Sequence, residues 1–198
     1  MKKSLFLTFS LTFLGGMVLA APQAELPSID YHVQSGDNLT AIAKKNSVTV
    51  DMIRQANGIT GDRLNVGQKL HIPTYKLSIW VDKSDNTLVL RGDDQVIKTY
   101  TVATGKDNST PVGVFKITDK LENPTWYKAG AVKKPGDPEN ALGTRWMGIN
   151  AKGYGIHGTI EPESMGKQVT AGCVRMKNEE VEELYKLVPP TTEVTITD

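Results

Sequence analysis

The chain has 198 residues, of which 23 are Lys or Arg and 22 are Asp or Glu, so its formal net charge is +1. This balance argues against an electrostatic binder of nucleic acid, which needs a surplus of positive charge facing the phosphates. The length suffices for one good core, or for a small module and a medium domain. The single cysteine cannot form an intramolecular disulfide, so we expect the fold to rest on its core.

The amino terminus predicts a secretory signal peptide over residues 1–20. Lys2 and Lys3 precede a nearly uncharged, mostly apolar run from Leu5 to Leu19, and the small residue Ala20 follows. The alternative is a transmembrane anchor, but the run is shorter than the roughly 20 residues that a span prefers. We therefore expect export, to a periplasm or to the cell wall and outer surface, with no membrane attachment after cleavage.

A linker is predicted at residues 21–30, which carry two prolines and no periodicity. Residues 31–74 then predict the order strand, helix, helix, strand. Ser35 or Asp37 is the candidate cap of the first helix and Thr49 that of the second. The last strand ends at Pro73.

This segment resembles a LysM module in the stretches "YHVQSGDNLTAIAKKNSV", "IRQANGI" and "LNVGQKLHIP". The resemblance implies a small α+β (βααβ) fold that binds N-acetylglucosamine-containing glycans such as peptidoglycan. It places glycan contacts at Gly36, Asp37, Asn38, Leu39, Asn57, Gly58 and Ile59. The alternative is that the Asp, Asn and Gly residues are only caps and turns, which their types would justify.

Residues 77–198 predict a second, mainly β, sandwich-like domain. Ile79 and Val81 alternate with Trp80 and Asp82, and turn residues follow at 84–86 and 92–94. The Pro- and Gly-rich segment 121–140 predicts a loop or lid, longer than a simple connection needs. One helix begins near Asn178, its candidate cap, and a last strand "TEVTIT" follows; the apolar stripe of that helix comprises Val181, Leu184, Tyr185 and Val188.

The lone cysteine, Cys173, is a candidate nucleophile. A catalytic thiol needs a base and a group that orients the base, and His157 is the one histidine of this domain. Gly172 permits a tight turn, in which the amides of Gly172 and Cys173 would face an oxyanion. Arg175 would favour the thiolate or bind a substrate carboxylate. The alternative is a structural one: a small buried thiol, a strand-end histidine and a surface arginine.

The stretches "GIHGT" and "TAGCVRM" resemble the active-site signature of the L,D-transpeptidase catalytic domain of the YkuD type, and "STPVGVF" and "LGTRWMGI" resemble further segments of it. The resemblance extends from about residue 77 to 197. It implies Cys173 as nucleophile, His157 as general base and the backbone carbonyl of Gly158 as the third member. We further expect Trp146, Tyr154 and Arg175 to bind substrate. One departure is Ala171, where many members have histidine.

The implied reaction is a transpeptidation on peptidoglycan stem peptides. The thiolate attacks the carbonyl before a terminal D-Ala, D-Ala leaves, and the resulting thioester passes to a diamino acid amine, which forms a 3→3 cross-link. Water as acceptor would make the protein an L,D-carboxypeptidase, and a protein lysine would be attached to the wall instead. No metal or organic cofactor is indicated, and the oligomeric state stays open.

Three other hypotheses about the protein's function remain at this point. A sortase also uses His, Cys and Arg, but with different spacing. An NlpC/P60-type peptidase usually has cysteine before histidine, which is the reverse of the order here. A wall-binding protein without enzymatic activity would need only the LysM module.

Overall fold

The protein is described here by a computed structural model that covers residues 26–128 and 130–198. The predicted signal peptide and the first half of the predicted linker lie outside the described residues. Among the residues that are described, no helix is long and apolar enough to cross a membrane.

The amino-terminal module has the predicted order of elements: β1 (Ser28–His32), α1 (Leu39–Lys45), α2 (Val50–Asn57) and β2 (Lys69–Pro73). The two strands pair antiparallel, and β1 begins inside the segment predicted as a linker because Ser28 pairs with Pro73. The helices pack on this pair through a small core, formed by Val33, Leu39, Ile42, Ala43, Ile53, Leu70 and Ile72.

The helix caps differ in part from the prediction. Thr49 caps α2 as expected, since its hydroxyl accepts from the Met52 amide at 3.1 Å. The cap of α1 is Asn38, so the prediction of Ser35 or Asp37 was wrong. The Asp37 carboxylate instead accepts from the Tyr31 hydroxyl and the Gln34 amide, which closes the turn before the helix.

In the described part of the second domain, the main elements are a long sheet and the α-helix that packs on it. Its strands in chain order are β3 (Leu77–Asp82), β4 (Thr87–Gly92), β5 (Gln95–Thr101), β6 (Thr104–Gly105), β7 (Gly113–Glu122), β8 (Trp126–Lys128), β9 (Ala131–Lys133), β10 (Arg145–Ile149), β11 (Gly155–His157), β12 (Gln168–Thr170), β13 (Val174–Arg175) and β14 (Glu193–Thr197). Within the described residues, eight of them form the sheet in the order β13-β11-β10-β7-β14-β3-β4-β5.

The last strand, β14, lies in the interior of this sheet. It pairs in parallel with β3, with Val194 opposite Ile79, and antiparallel with β7, with Val194 opposite Phe115. Val194 and Ile79 are fully buried, as the alternating pattern predicts. The carboxyl-terminal strand therefore joins the two halves of the sheet.

The helix α3 (Asn178–Leu187) packs against β10 and β11, the strands that lead to the candidate site. Val181, Leu184 and Val188 of the predicted stripe are fully buried, while Tyr185 is half-buried. The predicted cap is wrong: Lys177 occupies the cap position, and the side chain of Asn178 binds neighbouring loops instead.

Segment 121–140 is more ordered than its composition predicts. Strand β7 continues through Glu122, and β8 and β9 form an antiparallel pair in which Trp126 lies opposite Lys133. The interpretation of this segment as loop alone was therefore wrong. Its movement as a lid stays a prediction.

The two domains share a contact between α2 and α3. Met52 of α2 is 3% exposed and belongs to the core of the second domain, and Thr49 donates its hydroxyl to the Leu187 carbonyl at 3.3 Å. A residue of the LysM-like module thus packs in the core of its neighbour, which ties the position of the module to α3.

Candidate active site

The pairing of β11 with β13 brings the predicted chemical groups together. The two strands run parallel, and His157 lies opposite Arg175. Cys173 directly precedes β13, so this pairing places it at the start of the strand beside the one that carries His157. The fifteen residues between His157 and Cys173 thus form an excursion that returns the chain to the adjacent strand.

The ring of His157 is oriented by the backbone. Its Nδ1 lies 2.6 Å from the carbonyl oxygen of Gly158, and the residue is 5% exposed. A carbonyl only accepts hydrogen bonds, so Nδ1 carries the proton and Nε2 is left with the lone pair. The strand positions are fixed as well, since the Met176 amide donates to the His157 carbonyl at 2.8 Å.

Burial favours the neutral forms of both His157 and Cys173 in the free protein. It lowers the pKa of His157 to about 4, with a smaller lowering by the Arg175 charge and an opposing effect of the Gly158 hydrogen bond. Burial likewise raises the pKa of the Cys173 thiol, while a backbone hydrogen bond from Gly155 and the Arg175 charge act in the opposite direction. At neutral pH the site therefore holds a neutral thiol and a neutral imidazole whose Nε2 carries the lone pair.

Position 172 requires glycine, because both the surrounding atoms and the backbone conformation disfavour any side chain there. Its φ is +125°, and a Cβ added there would lie 2.6 Å from Cε1 of Tyr154 and 3.1 Å from the Ser109 carbonyl oxygen. The aromatic ring of Tyr154 thus packs on the backbone directly before Cys173, the predicted nucleophile. Contact of Tyr154 with the substrate stays a prediction.

The turn before Cys173 is held by Thr170. Its hydroxyl accepts from the Gly172 amide at 3.1 Å and donates to the Cys173 carbonyl at 2.7 Å. The Gly172 amide, one of the two predicted oxyanion donors, would have to leave Thr170 to bind an oxyanion. The prediction for the Cys173 amide is not affected by this contact.

Trp146 lies on β10 directly opposite His157. The two rings stack with their centroids 6.0 Å apart and their planes at 22°. The indole Nε1 donates to the carboxylate of Asp119 on β7 at 2.8 Å. Gly155 leaves room for the indole, since a Cβ there would lie 2.7 Å from the ring.

The side chain of Arg175 is buried, so the reading of this residue as a surface charge was wrong. It is 9% exposed, and its Nη1 donates to Glu161 at 2.5 Å and to the Ser164 hydroxyl at 3.1 Å. Its Nε is buried and finds no partner among the described residues. The guanidinium is thus already paired with the Glu161 carboxylate, and the binding of substrate by Arg175 stays a prediction.

The predicted glycan-binding residues mostly support their own loops. Asn38 caps α1, and the Asn57 side chain bonds the Ile53 carbonyl and both the amide and the carbonyl of His71. Leu39 is 2% exposed, Ile59 is half-buried, and Gly36 and Gly58 adopt positive φ. The side chains of Asn38, Asn57 and Asp37 thus have the structural roles of the alternative reading, and glycan contact by this region stays a prediction.

Three residues around the site were not recognised from the sequence: Asp119, Glu161 and Asn178. Asp119 and Glu161 carried no local signal, because each acts on a residue distant in the chain. Asn178 did carry a signal, a polar residue at the start of a helix, but that signal predicts a cap.

Comparison with known proteins agrees with this architecture. Residues 76–196 match the profile of the L,D-transpeptidase catalytic domain (YkuD), and residues 31–73 match that of the LysM domain. YqjB of Bacillus subtilis, named as an L,D-transpeptidase, is 48% identical over 124 residues, which cover 60% of this chain and 69% of YqjB. YkuD of the same organism, named likewise, is 37% identical over 175 residues, which cover 85% of this chain and 98% of YkuD.

A solved structure shares the fold of the second domain. The catalytic domain of an L,D-transpeptidase from E. faecium superposes with a TM-score of 0.51 at 25% identity, over 62% of this chain and 98% of that domain.

Proposed function

Since the chain belongs to the L,D-transpeptidase family and carries a LysM domain, we propose that it uses Cys173 and His157 to form 3→3 cross-links between peptidoglycan stem peptides. The observation that carries the proposal is the orientation of His157. Its Nδ1 is bound to the Gly158 carbonyl at 2.6 Å, which leaves the lone pair on Nε2, and the strand of His157 pairs with β13, which directly follows Cys173.

In the first half-reaction the thiol attacks the carbonyl carbon before the terminal D-Ala of a donor tetrapeptide. His157 Nε2 takes the proton of the thiol as the C–S bond forms. Because the resting thiol has a raised pKa and the imidazole is neutral, proton transfer accompanies the attack rather than preceding it. The Cys173 amide stabilises the oxyanion.

The intermediate then collapses to a thioester. The C–N bond to D-Ala breaks, His157 returns its proton to the departing amine, and Cys173 holds the acyl group. Arg175 supports the reaction as a fixed cation within the site, which favours the anionic sulfur during attack. Trp146 and Tyr154 flank the two catalytic residues and contact the donor peptide.

The second half-reaction requires an amine. A side-chain amine of a diamino acid on a neighbouring stem attacks the thioester, loses a proton to His157, and takes over the acyl group. The proton then passes to the sulfur, which restores the thiol. The LysM module binds the glycan of the same polymer, and its contact with α3 through Met52 keeps the bound glycan near the catalytic domain.

Export is part of the proposal. Residues 1–20 have the pattern of a signal peptide, and the proposed substrate lies outside the cytoplasm. Amino-terminal sequencing of the protein recovered from cells should give a chain that starts at Ala21 or Pro22. An intact Met1 on the cell-associated protein would contradict this part.

The catalytic proposal is tested with a purified disaccharide tetrapeptide and mass spectrometry, with the wild type beside Cys173→Ala and His157→Ala. The wild type should release D-Ala and form dimers, and both variants should do neither. D-Ala release without dimers would replace the proposal by L,D-carboxypeptidation. Turnover that survives in Cys173→Ala would overturn the mechanism.

A further inference from the structure

Asn178 is the first residue of α3, yet its side chain does not serve the helix. Its Oδ1 accepts from the Thr144 amide at 3.2 Å and from the Thr159 amide at 3.0 Å, and its Nδ2 donates to the Thr159 carbonyl at 2.8 Å. The side chain thus joins two loops, one of which directly follows His157.

The peptide unit between Gly158 and Thr159 connects Asn178 to the histidine. The carbonyl of this unit is the one that lies 2.6 Å from His157 Nδ1, and its N–H is the one that donates to Asn178 Oδ1. A trans peptide is planar, with its C=O and N–H pointing in opposite directions. Holding the N–H therefore sets the direction of the carbonyl.

Two glycines make room for this arrangement. A Cβ on Gly143 or on Gly158 would overlap Asn178 Oδ1, and Gly143 has a φ of +62°. The amide of Asn178 is therefore enclosed by backbone on two sides. This packing restricts its rotation and fixes the acceptor that the Thr159 amide faces.

We propose that Asn178 is a positioning residue of the active site, which acts through the Gly158–Thr159 peptide to hold the carbonyl that orients His157. The inference rests on the proposed function, in which His157 is the base. A hydrogen bond at the N–H also polarises the peptide and makes its carbonyl a better acceptor. Both effects favour the Nδ1–H tautomer, in which Nε2 can take the thiol proton.

Two variants separate the parts of this interaction. Asn178→Ala removes both the acceptor and the donor. Asn178→Asp keeps an acceptor for the Thr144 and Thr159 amides but loses the Nδ2 donor. Asn140→Ala is the matched control, because Asn140 also joins loops through its side chain, with Nδ2 2.8 Å from the Pro124 carbonyl and Oδ1 3.1 Å from the Leu142 amide.

The readouts are the ¹⁵N chemical shifts of the His157 ring in the free protein and the separate kcat and KM for the tetrapeptide. In Asn178→Ala, we expect loss of the Nδ1–H preference and a fall in kcat of roughly 30- to 100-fold, with KM within about twofold of the wild type. Asn178→Asp should keep the tautomer and stay within about fivefold in kcat. Asn140→Ala should lower the unfolding temperature but keep the tautomer.

A folded Asn178→Ala protein with the wild-type tautomer and kcat would overturn the inference, as would equal changes in Asn140→Ala. If Asn178→Ala does not fold, loss of the tautomer in Asn178→Asp overturns it and retention supports it. The ring signals need no substrate. A wild type without turnover would therefore contradict the proposed function, while the tautomer would still decide the role of Asn178.

Discussion

Asp119 accepts a hydrogen bond at 2.8 Å from the indole of Trp146, the ring that stacks on His157. The carboxylate lies on β7, the indole on the neighbouring strand β10 and the histidine on β11 beyond it. The hydrogen bond between β7 and β10 therefore supports the ring that packs on the histidine. Asp119 also accepts from the Thr118 hydroxyl at 2.7 Å, which fixes the carboxylate itself.

Replacing Asp119 by alanine should loosen the indole without unfolding the protein. Loss of a charge-assisted hydrogen bond costs about 1.5 kcal/mol, or roughly tenfold, and we expect this in kcat/KM for the tetrapeptide. Asp94→Ala, which alters an exposed turn far along the sheet, is the control and should match the wild type. Equal kcat/KM in the two variants would show that the indole does not need its partner.

Gly172→Ala should abolish most of the activity. The new Cβ would meet the Tyr154 ring at 2.6 Å, and the φ of +125° strains any L side chain. We expect at least a hundredfold loss of kcat, roughly the effect of a 1 Å misplacement of a reacting group. The control is Gly136→Ala, where φ is +80° but the described atoms leave the Cβ position open. If both variants lose activity equally, backbone strain rather than contact with Tyr154 is responsible.

His157 should make the folded state sensitive to acid. Its pKa is about 4 in the folded protein, against 6.5 ordinarily, so the unfolded chain binds more protons between these values. Stability therefore falls as the pH drops from 6.5 towards 4, by about 3 kcal/mol over the whole window. Urea unfolding at pH 7 and pH 4.5 should show a smaller fall for His157→Gln than for the wild type. An identical fall would mean that the imidazole is not buried in its neutral form.

Met52→Ala should weaken the packing of the two domains against each other. The side chain is 3% exposed in a core shared with the catalytic domain, and truncating such a residue costs about 2–5 kcal/mol. We expect a lower thermal midpoint and faster tryptic cleavage after Lys76, between the domains. Met52→Leu conserves volume and should cost less than about 1.5 kcal/mol. Cleavage at the wild-type rate in Met52→Ala would contradict a joint core.

Local patterns were sufficient to predict most elements. The alternation of Ile79 with its neighbours, the Thr49 cap and the stop of α2 at Gly58 all reflect interactions within a few residues, and the structure confirms them. The final strand was also predicted from its local pattern. Its interior position in the sheet could not be, because no local pattern indicates which strands it pairs with. Both domain families followed from motifs, and the matches at 31–73 and 76–196 confirm them.

What could not be predicted depends on contacts between distant segments. Asn178 has a residue type that is common at helix caps, but its side-chain amide forms hydrogen bonds with two loops from elsewhere in the chain instead. The hairpin of β8 and β9 forms in a segment whose Pro and Gly content predicts irregular structure. The buried side chain of Arg175 bonds Glu161 and Ser164, which lie more than ten residues away, and no periodicity in the sequence indicates these contacts.

The interior place of β14 has a consequence for how the sheet assembles. Residues 193–197 supply the hydrogen bonds that join β3 to β7. Until β14 is paired, the sheet remains in two parts with open strand edges. The pairing of β14 with β3 spans more than a hundred residues, and contacts between such distant segments form slowly because a long loop must close first. The catalytic domain therefore completes its sheet only when β14 has entered between β3 and β7.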